Sequence, residues 1–214
     1  MSTFKNKKLF LKAIKQHIPI VPCLDYYFGI VDVVNKIWAK SPKVHTDYIE
    51  REKIHQELKN IDLPIIIILL ESPHKDEFNE KPYMPAKGDT GKKILQYFPA
   101  KCPALPCPKY RVLLVNAIQY QCSLGVPTKN NRTDIFLYMW SKKNIKRNLE
   151  KRLKKYSSNI IINCCTKSGV ENLRCLVQKE ISKYKYEKQV KFYSAVHPSI
   201  WKNTSKIHLG GWQK

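Results

Sequence analysis

The sequence is poor in acid. Its 214 residues hold 17 Asp+Glu against 39 Lys+Arg, a formal charge of +22, and such an excess calls for a polyanionic partner, most commonly nucleic acid. Long apolar runs are also missing. The longest covers residues 65–70, against about eighteen for a membrane span, so an integral membrane protein is excluded. The basic start of the chain lacks the continuous apolar core and small-residue cleavage site of a signal peptide, and a cytoplasmic protein is expected. There is no CxxC among the seven cysteines, an odd number, so free buried thiols are expected in place of a disulfide framework. No carboxylate cluster suited to a metal is visible, and no cofactor is expected. A phosphate-loop reading of residues 86–93 fails: the first glycine would have to stand at Ala86, and Lys93 replaces the Ser/Thr.

What is present is enough for one folded domain over residues 1–214, without internal repeat or low-complexity tract. The apolar fraction of 43% supports a packed core. Helical spacing appears over residues 4–18 and again over 24–38, where Tyr27, Ile30, Val31, Val34 and Trp38 recur. Residues 1–60 are therefore expected to form a helical N-terminal part, with a loop and then a helix over 41–60. From residue 64 the pattern changes. Unbroken β-branched runs at 65–70, 112–115, 160–162 and 190–196 alternate with helical patterns at 88–97, 142–155 and 169–184, and residues 99–108 form a Pro/Cys-rich connection. That alternation predicts an α/β fold, a three-layer α/β/α sandwich around a four-stranded parallel sheet.

Ligands bind outside the carboxyl ends of such strands. Those ends are polar here: Glu71-Ser72-Pro73-His74, Asn116, Asn163-Cys164 and His197-Pro198-Ser199. The 142–155 helix carries eight basic residues, among them Lys146 and Arg147, against Glu150 alone, with Ile145, Leu149 and Leu153 forming an inward stripe.

The ordered set Leu69-Leu70-Glu71-Ser72-Pro73-His74, Val112-Leu113-Leu114-Val115-Asn116 and Val196-His197-Pro198-Ser199 resembles the motifs of the uracil-DNA glycosylase superfamily over residues 64–202. Lys81-Pro82-Tyr83 with Gly88-Asp89-Thr90-Gly91, and Asn131-Arg132-Thr133, are similar to its iron–sulfur branch. That branch holds its cluster with four cysteines, two in a CxxC absent here, so no cluster is expected.

The resemblance implies a hydrolase that breaks the N-glycosidic bond of a base flipped out of DNA. Ser72 stands where the best-known members carry Asp or Asn. The carboxylate role therefore passes to Glu71, with Asp76 or Glu77 as substitutes, and a modified or damaged base is expected in place of uracil. His197 would donate to the departing base, Asn116 would read its edge, and Tyr83 would stack on it, with Pro73 and Ser199 completing the pocket. Ile200 and Trp201 would wedge the duplex, while Lys202, Lys75, Lys146 and Arg147 meet phosphate. Were Lys75 to attack the sugar, a lyase would result; water attack is the preferred reading. Some relatives remove glucosylated hydroxymethylcytosine from viral DNA in phage defence. The expected partner is DNA, with no membrane or metal, and the protein a monomer. The alternative is a nucleic-acid-binding protein that keeps the fold without the chemistry.

Overall fold

The run Ile65–Leu70, every residue of it buried, forms strand β3 at the centre of the molecule. The computed structural model describes residues 21–79, 81–122, 132–167, 172–186, 189–203 and 210–211. The helix expected over 4–18 and the Asn131 position lie outside them. Parallel to β3 run β4 (Lys109–Asn116) and β5 (Ile160–Asn163) on either side, with β6 (Lys191–Ser194) beyond β5. These are the four expected strands, but the sheet does not stop there. It has seven strands in the order β2-β1-β4-β3-β5-β6-β7. The additions β1 (Tyr26–Asp32), β2 (Ile37–Lys40) and β7 (Gly210–Gly211) all pair antiparallel.

The expected helix over 24–38 is therefore wrong; that segment is the β1–β2 hairpin. All seven residues of β1 are buried, Tyr27 and Ile30 against one face of the sheet and Tyr26, Phe28 and Val31 against the other. A strand buried on both faces shows no two-residue alternation, so chance spacing passed for a helix. The turn is made by Asp32, whose Oδ1 accepts the Val34 and Asn35 amides at 3.1 and 2.8 Å, and by Lys36 at φ 58.

Odd and even residues of β3 serve two cores. Ile65, Ile67 and Leu69 pack under α1 (Tyr48–Lys59), α3 (Arg132–Trp140), α4 (Lys143–Lys155) and α5 (Leu173–Ile181), with Ile145, Leu149 and Leu153 of α4 buried as expected. Ile66, Ile68 and Leu70 pack against α2 (Asp89–Lys101) and Trp201. Apolar contact on both faces is what the unbroken runs require. The α2 helix continues through Pro99, where a connection was expected. Proline leaves the Leu95 carbonyl without its helical donor, and the Trp38 indole N–H supplies one at 2.7 Å. Among the described residues no helix is long and apolar enough to cross a membrane.

Candidate active site

Beyond β3 the chain passes through Ser72, Pro73 and His74 into a short helical turn, Lys75–Phe78. Asn116 is the last residue of β4, and beyond β6 comes His197, opening a second short helical turn, Pro198–Asn203. Parallel pairing brings these ends together. Ser72, Pro73, His74, Asp76, Glu77, Asn116 and His197 line one cavity of about 430 Å³, closed by Gly88, Asp89 and Thr90 at the start of α2. That volume lies within the range of about 300–1,000 Å³ common for small-molecule sites.

Asn116 is buried at 2% exposure, and the nearest partner of its amide nitrogen is the weakly accepting Cys23 Sγ at 3.8 Å. Its carboxamide is thus held in the wall with hydrogen-bonding capacity to spare. His197 Nδ1 accepts the Ser199 amide at 3.3 Å and lies 2.9 Å from the Ser199 hydroxyl. A ring nitrogen that accepts a backbone N–H carries no proton in the neutral imidazole, so the proton sits on Nε2 as a donor. Ser199 acts on the cavity through His197, not as part of its lining.

Glu71 is not where the sequence reading put it. Its carbonyl accepts the Ile118 amide just past the end of β3, and its side chain is turned away from the cavity that Ser72 lines. It is buried, and its Oε2 accepts from the Thr166 hydroxyl and amide. The carboxylates in the cavity wall are Asp76, Glu77 and Asp89. His74 Nδ1 lies 3.0 Å from Asp76 Oδ2 and 3.4 Å from the Asp76 amide nitrogen, so the ring is held against Asp76 in either tautomer.

Glu77 is deeply buried. Its Oε1 accepts the Ala86 amide at 2.6 Å and its Oε2 the His74 amide at 3.2 Å, which ties the 74–78 turn to the 84–88 loop. Burial pushes its carboxyl up to about 8, against the pull of those amides and of Arg51 and Lys87. A folded-state pKa above the unfolded one stabilises the protein at low pH, and this contribution is lost as pH rises through the folded value. The melting temperature should therefore fall as pH climbs from about 5 through about 8, and Glu77→Gln should lack that component. Parallel Tm curves for the two proteins would show that Glu77 is ionised throughout.

The 84–88 loop rests on a residue the sequence reading missed. Arg51 of α1 has no exposed surface and donates to the carbonyls of His45, Pro85 and Ala86 at 3.0, 2.8 and 3.4 Å. Ala86 sits at φ 59, and a Cβ on Gly91 would stand 1.9 Å from its carbonyl oxygen. Gly91 is thus dictated by close backbone approach. Nothing in the local pattern marks Arg51, because an arginine on a polar helix ordinarily faces water.

Several expected DNA contacts change character. Trp201 is fully buried, lies 6.0 Å from the Phe98 ring, and donates its indole N–H to the Val196 carbonyl; it is core and no wedge. Ile200 beside it is 48% exposed, and Lys202 is exposed. Tyr83 packs on Phe78 at 5.4 Å and is absent from the cavity wall, as is the exposed Lys75. On α4, Arg147, Lys151 and Lys155 are exposed and Lys146 lies 3.7 Å from Glu180. Arg152, counted with the basic face, turns inward to Asp25 at 2.6 Å and to the Asn116 carbonyl at 2.9 Å.

Among the described residues no group of three or more His, Cys, Asp or Glu is placed to hold one metal ion. No family model, curated protein or solved structure matches the chain.

Proposed function

We propose that this chain is a monofunctional DNA glycosylase with the three-layer α/β/α arrangement of the uracil-DNA glycosylase superfamily, acting as a cytoplasmic monomer on a flipped, modified base. The observation that supports it is the meeting of Ser72-Pro73, Asn116 and His197, from three separate strand ends, around one cavity. Breaking the bond from the sugar carbon to the base nitrogen sends the electron pair out with the base and leaves positive charge on the sugar. The His197 Nε2–H donates to the base oxygen as negative charge develops there. The Asn116 carboxamide pairs with the base edge. Asp76 replaces Glu71 as the working carboxylate: one oxygen is fixed by His74, and the other stabilises the sugar cation and takes a proton from the water that adds to it. Glu77 positions this loop through its carboxyl oxygens, which accept the Ala86 and His74 amides.

Flipping costs a few kcal/mol, which exposed cations offset by drawing in the phosphate backbone. Ser72 in place of a carboxylate leaves room beside the base, so a base enlarged by a sugar, such as glucosylated hydroxymethylcytosine, fits this reading better than uracil. The test incubates duplexes bearing uracil, hypoxanthine, an alkylated purine or glucosylated hydroxymethylcytosine with the protein, then heats them in alkali. Breaks at one modified base, lost in Asp76→Asn, support the assignment. Salt-sensitive retardation with every substrate intact would replace it with a non-catalytic DNA-binding protein.

A further inference from the structure

A second cavity, of about 620 Å³, lies on the other face of the sheet between α1 and α4. Its floor is Tyr27, Ile65 and Leu113. Lys59, Arg111, Arg152 and Lys155 surround that floor, with Asp25 as the one carboxylate. Asp25 offers little to a further cation. Its Oδ1 takes Arg152 at 2.6 Å and Oδ2 takes the Tyr156 hydroxyl at 3.0 Å. Three positive groups are thus left facing one hollow, and like charges around an apolar floor repel unless an anion joins them.

Gln119 spends its amide nitrogen on Asp25 at 3.5 Å, and two further side chains bring donors to the hollow. Arg111 commits Nε and Nη1 to the carbonyls of Leu63 and Leu58 at 3.0 and 2.9 Å, which fixes the guanidinium 5.2 Å from the Tyr27 ring centre and leaves Nη2. His55 Nδ1 accepts the Tyr27 amide at 2.9 Å. Burial holds its pKa down at about 4, so the ring is neutral and presents Nε2–H. Tyr27 and Tyr156 meet edge to face at 6.4 Å and offer aromatic wall to a planar ring.

We infer that this groove binds a nucleoside phosphate, with the phosphate between Lys59, Arg111 and Lys155 and the base against Tyr27 and Tyr156. The charge calls for the anion, and the aromatic floor and volume call for the ring attached to it. The site is separate from the base cavity, and the inference stands whether or not that cavity is catalytic.

Calorimetric titration of the full chain with AMP and with inorganic phosphate tests it. AMP should bind more tightly than phosphate. Binding should weaken by about tenfold or more in Lys59→Ala/Lys155→Ala, whose side chains are exposed and whose loss leaves the fold intact. Tyr27→Phe, which keeps the ring, should bind AMP as the unaltered protein does, and His197→Ala should leave binding unchanged. Absence of AMP binding at millimolar concentration overturns the inference. So does binding that survives the double lysine variant, or that disappears in His197→Ala. If a single-stranded oligonucleotide binds through the same lysines while AMP does not compete, the groove is part of a DNA track and the assignment to a small ligand falls.

Discussion

On the proposed reading, base excision should fall about 10²–10³-fold in His197→Ala, the loss that accompanies removal of one donor aimed at developing negative charge. DNA retention and the melting temperature stay close to those of the unaltered protein. The reasoning runs from the tautomer. Because Nδ1 is occupied by the Ser199 amide, the imidazole offers a proton to the cavity without having to be charged. Of the other side-chain nitrogens in the cavity wall, His74 Nδ1 is turned to Asp76 and the Asn116 amide is assigned to the base edge. Ser199→Ala supplies the contrast. It removes the 2.9 Å hydroxyl contact but keeps the backbone N–H that sets the tautomer, so excision drops by less than about tenfold. Equal losses in the two variants would mean that His197 holds the strand end together and does not act on the base. Full activity in His197→Ala would remove the proposed chemistry altogether.

The second large effect is on stability. Arg51→Met keeps the length of the side chain and removes its donors, leaving the buried carbonyls of Pro85 and Ala86 without the guanidinium. Each stranded group costs about 1–3 kcal/mol, and the stacking of the guanidinium 4.7 Å over the Tyr26 ring is lost as well. A total of about 3 kcal/mol lowers the melting temperature by roughly 6–12 °C in a chain of this size. The 84–88 loop then loses its support, and with it the Ala86 amide that holds Glu77. Excision should therefore fail at temperatures where most of the protein is still folded. Differential scanning calorimetry beside activity at 25 °C separates the two effects. A melting point within a degree or two of the unaltered protein would show that water takes over the carbonyls and that Arg51 is dispensable.

The four parallel strands were legible because burial on both faces demands unbroken apolar runs, and Ile65–Leu70 has no other stable use in a soluble fold. The α4 stripe of Ile145, Leu149 and Leu153 was legible for the same kind of reason: a repeat of one turn survives in sequence. The hairpin was misread because double burial of β1 erased the alternation that would have marked it. The site split along similar lines. Residues that end strands were readable, since strand ends converge in a parallel sheet, and Ser72, Asn116 and His197 do share a cavity. Glu71 failed because it stands just past the end of β3, where tertiary packing decides which way a side chain turns. Trp201 failed because an aromatic within a short helical turn reads the same whether it packs on Phe98 or meets a base.

Linear order alone thus determined the class of fold, the excess of positive charge and the polar strand ends, each being a property of composition or of one element's period. Tertiary structure decided the rest. It chose which of three neighbouring acids, Glu71, Asp76 and Glu77, reach the cavity, it buried Arg51 and turned Arg152 inward to Asp25, and it formed a second cationic groove from α1, β1, β4 and α4. Those outcomes depend on which face of one element meets which face of another. A chain read one segment at a time carries no record of such distances, because they arise only when the sheet twists its ends together and the helices close over it.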